Sequence, residues 1–293
     1  MEDRTKNLIK FFLLPLLLIF LILVFFTHRS GPDFLLHLNF LNVGQGDSSF
    51  IQTPLGRQVL IDGGPSDKIL SLLGKNMPFY DRTIDLIIIS HPHADHINGL
   101  IDVLKRYKVK LVVMADVAYD SSSFNTLKNL IDKKNIPIVI ARANKRIYLD
   151  DVTTFDIFWP QNKEGEKSFS EGFGQAGQTL NDTSIVGRVQ YVRSKILFVG
   201  DAGSVVENQI LPKYNLKSDI LKVGHHGSKY SSSENFLREV APNYAIISVG
   251  KNSYGHPAQE VLDRLTQLNI QIFRTDLNDT VKFQSDGVAM ILK

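Results

Sequence analysis

A short apolar run leads directly into three histidines and an aspartate. The run, "IDLIIIS" (84–90), is typical of a strand buried within a sheet, and "HPHADH" (91–96) follows it without a break. The next stretch, "INGLIDVLKRY", has apolar residues at helical spacing. The histidines therefore lie between the carboxyl end of a buried strand and the start of a helix, where α/β proteins usually carry their sites.

The four polar side chains of this motif can supply ligands to two metal ions. His91 and His93 are separated by one residue, so in an extended segment they point the same way and can share an ion. Asp95 and His96 fall where the chain turns into the helix, so they can face a neighbouring ion. A histidine-rich surface loop is the alternative, but it would not account for this spacing or for the strand before it.

The remainder of the chain from residue 34 has a mixed α/β pattern. Strands dominate its opening and middle, helices intervene on both sides, and no linker separates two domains. This pattern predicts a layered αββα sandwich of two sheets, with residues 31–293 as one domain. The glycine-rich stretch 161–178 is predicted to be a loop at the rim of the site. The predicted strands are "FLLHLNFLNV", "SSFIQT", "QVLID", "IDLIIIS", "TTFDIFWP", "SIVGRVQYV", "SKILFVGD", "DILKVG" and "YAIISVG".

Composition limits the function. The chain has 293 residues with a net charge of +3, and four Lys or Arg residues against two acids within residues 1–30 account for +2 of it. The rest of the chain is therefore nearly neutral, which argues against a strong, sequence-independent grip on nucleic acid but permits a nucleic-acid substrate held at one site. Cysteine is absent, which excludes disulfides, thiolate ligands and a cysteine nucleophile.

The amino terminus contains an uncharged apolar run, "FFLLPLLLIFLILVFF" (11–26). Sixteen helical residues span about 24 Å, which approaches the thickness of a bilayer core if Lys10 reaches the headgroups. The sequence therefore predicts a single-pass transmembrane anchor and a cytoplasmic tip within residues 1–30. A cleaved signal peptide and a buried helix are the alternatives, although "THRSGPDF" after the run is a poor cleavage site.

The charges that flank the run predict its orientation. Arg4, Lys6 and Lys10 precede it, whereas only Arg29 follows closely. Basic residues favour the cytoplasmic side of a membrane, so the domain that follows is predicted to lie outside the cytoplasm, attached to the cell membrane.

The motifs resemble a known family. "HPHADH" resembles the HxHxDH signature of the metallo-β-lactamase superfamily. Four other stretches resemble, more narrowly, the hydrolase domain of ComEC-type DNA-uptake (competence) proteins, in the order in which that family carries them. The resemblance implies an αββα fold, a dinuclear and usually zinc-type hydrolytic site, and phosphodiester substrates such as single-stranded DNA. The four stretches are "LNVGQGDSSFIQTPLGRQVLIDGG", "NDTSIVGRVQYVRSKILFVGDAG", "LKVGHHGSKYSSS" and "ISVGKNSYGHP".

The resemblance assigns ligands to both ions. It implies that His91 and His93 bind the first metal, and that Asp95 and His96 bind the second. Asp201 matches the carboxylate that bridges the two; a helix cap is its structural alternative. One of the adjacent His225 and His226 completes the second site, and His226 is the favoured ligand.

Further positions are expected to support the ligands. Asp62 matches an orienting residue that contacts a ligand rather than the metal. Its alternative is a turn position before two glycines. Many superfamily members place a histidine on the first metal where this chain offers "NDTS", so Asp182 would serve there, with Asn181 or Ser184 orienting it. An oxygen ligand makes that site harder, so Mn²⁺ is expected beside Zn²⁺ as an occupant. The alternative is that Asp182 merely starts a strand.

Four side chains are candidates for contact with the substrate. His225 or His256 could stabilise the charged intermediate or protonate the leaving oxygen. Ser228 and Tyr254 could donate hydrogen bonds to the same oxygens, with plain loop capping as the alternative.

The predicted activity is hydrolysis by metal-activated hydroxide, which Asp95 or Asp201 would orient. The favoured interpretation is a membrane-anchored phosphodiesterase or nuclease acting on DNA or related phosphodiesters. One alternative is a metallo-hydrolase of esters, lactones or phosphocholine-type small molecules. Another is a non-catalytic metal-binding partner of a separate membrane channel protein. A basic groove beside the metals would favour the first, a narrow apolar pocket the second and a missing ligand the third.

Overall fold

A computed structural model describes residues 9–29, 33–161 and 179–293 of the chain. It divides into two compact units, Met1–Asp33 and Phe34–Lys293. The division between residues 30 and 31 drawn from the sequence stays a prediction. Of the predicted rim loop, residues 162–178 lie outside the described part.

The first unit contains a short π-helix, Ile9–Leu13, and helix α1, Leu14–Arg29. The regular α-helix thus has 16 residues, because the apolar run begins in π-helical geometry. Among the residues that the structure describes, no helix is both long enough and apolar enough to cross a membrane. The prediction of a transmembrane helix is therefore not supported.

The second unit is built on two large sheets. The first has the strand order β17-β16-β1-β2-β3-β5-β7-β8, the second has β15-β14-β13-β12-β11-β10-β9, and β4 pairs with β6 in a small separate sheet. The strands are β1 (Leu36–Phe40), β2 (Ser49–Gln52), β3 (Gln58–Ile61), β4 (Thr83–Ile84), β5 (Leu86–Ile89), β6 (Lys108–Val109), β7 (Val112–Met114), β8 (Ile138–Ile140), β9 (Lys145–Tyr148), β10 (Thr153–Trp159), β11 (Val186–Tyr191), β12 (Ser194–Phe198), β13 (Ile220–Lys222), β14 (Tyr244–Ile247), β15 (Gln271–Arg274), β16 (Val281–Ser285) and β17 (Met290–Leu292).

Helices cover the outer faces of both sheets. Those of the first half pack on the first sheet and those of the second half on the second sheet, apart from a short final turn. The helices are α2 (Lys68–Asn76), α3 (Ala94–Arg106), α4 (Ser122–Lys133), α5 (Ser204–Ile210), α6 (Glu234–Val240), α7 (Gln259–Gln267) and α8 (Thr275–Asn278), with 3₁₀ turns at Leu180–Thr183 and Gly224–Gly227.

Alternation along the strands assigns each side chain to a layer. On β12, Ile196 and Phe198 enter the core between the two sheets, whereas Leu197 packs under the helices of the second sheet. On β5, Ile88 faces the other sheet, and Ile87 packs under the helices of the first. A strand that is buried on both faces needs apolar residues at every position, which explains the unbroken runs in the sequence. The predicted αββα sandwich is confirmed.

The site lies where parallel strands end. Strands β3, β5 and β7 are mutually parallel in the first sheet, as are β12 to β15 in the second. The segment after β5 also touches the approach to β11, since the Ile185 N–H donates to the Ser90 carbonyl at 2.9 Å. The carboxyl-end loops of both sheets therefore share one edge of the sandwich.

Helix α3 approaches the loop after β3 closely enough to require a glycine. A Cβ on Gly99 would lie 2.0 Å from the Gly63 carbonyl oxygen, which is backbone and cannot move aside. We expect Gly99→Ala to lower the free energy of unfolding by about 1–3 kcal/mol through overpacking. Gly74→Ala is the matched control, because nothing lies within 4 Å of its added methyl group and Ala should stabilise α2 by roughly 0.5–1 kcal/mol. Chemical denaturation measures both, and equal effects of the same sign would contradict the explanation.

Candidate metal centre

His91 and His93 aim their ring nitrogens at one point. His91 directly follows Ser90 at the end of β5, and His93 is the residue that precedes α3. Nε2 of His91 lies 3.0 Å from Nδ1 of His93 and 3.8 Å from Oδ2 of Asp201. The other nitrogen of His91 contacts the Ser90 hydroxyl at 3.0 Å, which fixes the ring. A metal ion between these atoms would replace the contact between the two imidazoles.

His96, in the first turn of α3, is held from behind by Asp62. Nδ1 of His96 donates to Oδ2 of Asp62 at 2.9 Å. Asp62 is in turn fixed by the Ser90 N–H (2.8 Å) and by the Ser90 hydroxyl (2.6 Å). Nε2 of His96 lies 3.4 Å from Oδ1 of Asp201. Asp62 thus has the position expected of an orienting residue.

Asp201 lies between the two sets of histidines. It follows β12, is buried, and its N–H donates to the Ser184 hydroxyl at 3.0 Å. While Oδ1 faces His96, Oδ2 lies 3.6 Å from Nε2 of His226 and 3.8 Å from Nε2 of His91. One carboxylate therefore reaches both sets, as a bridging ligand must.

The adjacent histidines after β13 occupy a backbone conformation that favours glycine. His225 and His226 have φ of 48° and 54°, inside the turn Gly224–Gly227. Such conformations cost about 1–3 kcal/mol each and persist where the surrounding structure enforces them. Nδ1 of His226 donates to the Ser248 carbonyl at 2.9 Å, so its Nε2 is left to face Asp95 at 3.2 Å. His225 stays farther out, with Nε2 3.9 Å from Asp201.

These side chains form two groups with the geometry of metal sites. Ligand atoms of the first group, His91, His93 and Asp201, lie within 4.8 Å of one another, as do those of the second, Asp95, His96, Asp201 and His226. The two groups share Asp201. Nε2 of His96 and Oδ1 of Asp201 are buried and have no hydrogen-bond partner among the described residues, which is costly unless a cation satisfies them. The donor set therefore fits two divalent cations.

Charge in the second group is coupled across its members. Burial alone would raise the pKa of Asp201, but His226 and His96 hold it well below its usual range. Burial alone would lower the pKa of His226, yet Asp201 and Asp47 raise it to about 10. Burial likewise opposes a charge on His96, and Asp201 and Asp62 raise its pKa well above its usual range. In the metal-free protein, protonated imidazoles therefore neutralise the carboxylates.

The outer histidines shift in the opposite direction. Burial lowers the pKa of His91, and the neighbouring His96 lowers it further. Burial also lowers the pKa of His93, of His225 and of His256. At neutral pH these rings are uncharged, so each offers one lone pair and one N–H.

An open cavity of about 500 Å³ lies above the two groups. Most of its side chains are polar, and three of their buried atoms have no hydrogen-bond partner: Asn98 Oδ1, Asn181 Oδ1 and His256 Nδ1. The ring of His256 is 5.2 Å from that of His225. The residues that line the cavity are Gln45, Pro65, His93, Ala94, Asp95, Asn98, Tyr119, Asn181, Asp201, His225, His226, Tyr254 and His256.

The structure does not bring Asp182 to the metal groups. Its Oδ2 accepts from the Thr179 N–H at 2.7 Å and so caps the 3₁₀ turn. Ser184 contacts Asp201 rather than Asp182, and Asn181 turns its amide to the ring of His225 at 3.3 Å. The predicted ligand role of Asp182 is therefore not supported, and neither neighbour orients it. Ser184 supports Asp201 instead, and Asn181 lines the cavity, where its predicted contact with the substrate stays a prediction. Helix capping competes successfully for the Asp182 carboxylate.

Of the predicted substrate contacts Ser228 and Tyr254, only Tyr254 lies at the cavity. Ser228 is buried away from the cavity, and its hydroxyl accepts from the Tyr230 N–H at 3.4 Å, so its predicted substrate contact is not supported. Tyr254 is 74% exposed at the cavity rim, with its ring 5.9 Å from that of His256. Sequence reasoning missed Asp47, which contacts His226, although it is the acid of the quoted "GQGD".

Comparisons with known proteins agree with this geometry. A model of the metallo-beta-lactamase superfamily matches residues 41–251. The chain is 30% identical to ComE operon protein 3 of Bacillus subtilis (strain 168) over 267 residues, 84% of this chain and 33% of that protein. It is 41% identical to Competence protein ComA of Neisseria gonorrhoeae over 106 residues, 35% of this chain and 15% of that protein. The solved metallo-beta-lactamase fold protein YhfI from Bacillus subtilis matches with a TM-score of 0.59 and 11% identity, covering 86% of this chain and 100% of YhfI.

The fold and the site thus define a metallo-hydrolase of the αββα class. The chain belongs to the metallo-beta-lactamase superfamily. Its resemblance to competence proteins is also confirmed. The chain spans a third or less of the length of these two relatives.

Metal stoichiometry tests the two groups. We expect the purified chain to bind two divalent ions, because the groups share only Asp201. His226→Gln should reduce this to about one ion per chain, and Asp201→Asn should weaken both sites. His37→Gln, on β1, is the control, since His37 belongs to neither group. Elemental analysis with isothermal titration gives the numbers, and two tightly bound ions in Asp201→Asn would refute the bridging position.

The metal affinity should depend on pH. His226 must lose a proton to become a ligand, and its pKa in the metal-free protein is raised to about 10. Below that value an ion that binds at the group containing His226 displaces this proton, so its apparent affinity should rise about tenfold per pH unit for each proton released. Zn²⁺ titrations between pH 6 and pH 8 in two buffers of different ionisation enthalpy measure both affinity and proton release. A flat profile would contradict the charge state described above.

Proposed function

We propose that this chain is a dinuclear metal-dependent phosphodiesterase that acts on DNA or on related phosphodiesters. One observation carries the proposal: Asp201 belongs to both histidine groups, and the two groups lie at the floor of an open cavity. The relation to ComE operon protein 3 and Competence protein ComA, named for competence, supports a DNA substrate.

The chemistry follows from the side chains around the cavity. Two divalent ions at the groups would supply Lewis acidity and a water of lowered pKa. Asp95 and Asp201 line the cavity, where their carboxylate oxygens could accept hydrogen bonds from such a water and orient it toward a substrate. His256 lines the cavity, and because burial lowers its pKa the ring is neutral at pH 7 and keeps one N–H to donate. We assign to it a hydrogen bond to a phosphate oxygen, which strengthens as that oxygen gains negative charge.

The shape of the cavity favours a phosphodiester over a small ester or lactone. A small apolar acyl group would be expected in a narrow apolar pocket. Here the cavity is open, and most of its lining side chains are amides and imidazoles. Its described lining contains no lysine or arginine, so the openness of the cavity, and not a basic groove, favours the phosphodiester. Tyr119 and Tyr254 also lie at the wall, where their faces can stack with the bases of a single strand. A partnership with a separate membrane channel protein, and the position of the domain outside the cytoplasm, stay predictions.

The activity assay uses the full chain loaded with Mn²⁺ or with Zn²⁺. We expect metal-dependent cleavage of labelled single-stranded DNA and of bis-p-nitrophenyl phosphate, abolished by chelation and by His93→Ala or Asp201→Ala. Cleavage of the small diester alone would replace DNA with a small phosphodiester as substrate. If neither substrate is cleaved by protein that holds two ions, the proposal is wrong, and esters and lactones become the next substrates.

His256 provides a sharper test of the mechanism. We expect His256→Ala to lower kcat by about 10²- to 10³-fold, the usual effect of removing one donor to a developing oxyanion. The two bound ions should remain, because His256 is in neither ligand group. His37→Ala is again the control. Equal activity of the His256 variant would exclude this donor, and loss of metal would make its role structural.

A further inference from the structure

A third cluster of charged side chains lies behind the second metal group, within the sandwich. Asp47, Asp62 and His96 also have ligand atoms within 4.8 Å of one another. A cation already stands beside this cluster, however, because the ammonium of Lys222 lies 2.7 Å from Oδ2 of Asp47. The cluster is therefore not a third metal site, and its charges call for another explanation.

The Asp47–Lys222 pair is buried almost completely. Side-chain exposure is 7% for Asp47 and 2% for Lys222. Lys222 also donates to the Val223 carbonyl at 3.0 Å, so its ammonium is held on two sides. A buried ion pair is often no more stable than apolar residues of the same volume, since both charges must leave water. Stability alone thus gives no reason for this pair within a core of two apolar sheets.

The geometry of Asp47 points to His226. Oδ1 of Asp47 lies 3.2 Å from Nδ1 of His226, on the side of the ring away from Asp95 and Asp201. The Ser248 carbonyl already accepts the Nδ1 proton at 2.9 Å, and Oδ1 of Asp47 has no hydrogen-bond partner of its own. The carbonyl therefore sets the tautomer and the ring plane. Asp47 adds a negative charge next to the ring, which makes the opposite nitrogen a stronger metal ligand.

The backbone of Asp47 ties it to the same site. Its N–H donates to the Asp95 carbonyl at 3.3 Å, and its carbonyl accepts from the Gly64 N–H at 2.8 Å. The preceding Gly46 allows this approach, since a Cβ there would lie 2.2 Å from the Asp95 carbonyl oxygen. The loop before β2 is thus locked against the metal-binding loop, and Lys222 from the other sheet locks the carboxylate itself.

We propose that Asp47 is a positioning residue for the metal group that contains His226, and that Lys222 holds its carboxylate in place. The inference rests on the proposed function only in that the two groups bind metal. Lys222 contacts the Asp47 carboxylate and belongs to neither metal group, so it acts through Asp47.

The test compares variants that differ in one carboxylate. Lys222→Gln keeps Asp47, whereas Asp47→Asn/Lys222→Gln removes it and leaves two neutral amides that can hydrogen-bond to each other. We expect the double variant to bind one of its two Zn²⁺ ions roughly 10- to 100-fold more weakly than the wild type, with the other ion unchanged. Lys222→Gln, whose carboxylate is present but no longer held, should fall between the two. In the Co²⁺-loaded protein, the absorption bands of that one site should shift. The full chain is used throughout.

Stability measurements separate positioning from a merely structural role. Without metal, Lys222→Gln should have a lower Tm than the double variant, because only the single variant buries an unpaired carboxylate. Asp156→Asn is the matched control. Asp156 accepts from Arg146 on the neighbouring strand, so this substitution should change the Tm without changing either Zn²⁺ affinity.

Two results would overturn the inference. One is equal Zn²⁺ affinity of the wild type and the double variant, which would make the Asp47 charge irrelevant to the site. The other is a Tm of Lys222→Gln equal to that of the wild type, which would show that Lys222 does not hold the carboxylate. Wild-type protein that binds two ions but cleaves no phosphodiester would refute the proposed function, and the affinities would still decide the role of Asp47.

Discussion

The site depends on one carboxylate that is buried among imidazoles. Asp201 stands at the carboxyl end of β12 and reaches both histidine groups. An ionised carboxylate cannot stay there without cations. Protonated His96 and His226 compensate its charge in the metal-free protein, and divalent ions compensate it in the loaded protein. The parallel strands of both sheets serve this arrangement, because they bring their polar carboxyl ends to one edge while their apolar bodies fill the layers between.

Much of this was readable from the sequence. Unbroken apolar runs predicted the buried strands, and the spacing of "HPHADH" predicted that its histidines and aspartate would lie together, because strand and helix geometry fix neighbours in the chain. The joining of Asp201 and His226 to that motif depended on the resemblance instead. Their contacts with the motif span more than a hundred residues of chain, and no local pattern encodes such a separation.

The expectations that the structure does not support depend on local backbone geometry. Asp182 was expected to bind metal, but its carboxylate caps the 3₁₀ turn that precedes β11. Ser228 was expected in the cavity, but it is buried and follows a turn in which His225 and His226 have positive φ. The apolar run at the amino terminus gives 16 α-helical residues because its first turn is π-helical. In each case local backbone hydrogen bonding, which composition does not report, decided the outcome. The hairpin β16–β17 and helix α4 carried no motif and went unpredicted.

The loops that carry the ligands come from both sheets. His91, His93, Asp95 and His96 follow a strand of the first sheet, whereas Asp201 and His226 follow strands of the second. An ion that is bound by ligands of both sets therefore cross-links the two sheets. In a chain without cysteine, such metal ions are the available cross-links, and they close loops of more than a hundred residues. Loading with metal should therefore slow the separation of the two sheets during unfolding, much as a disulfide would at the same place.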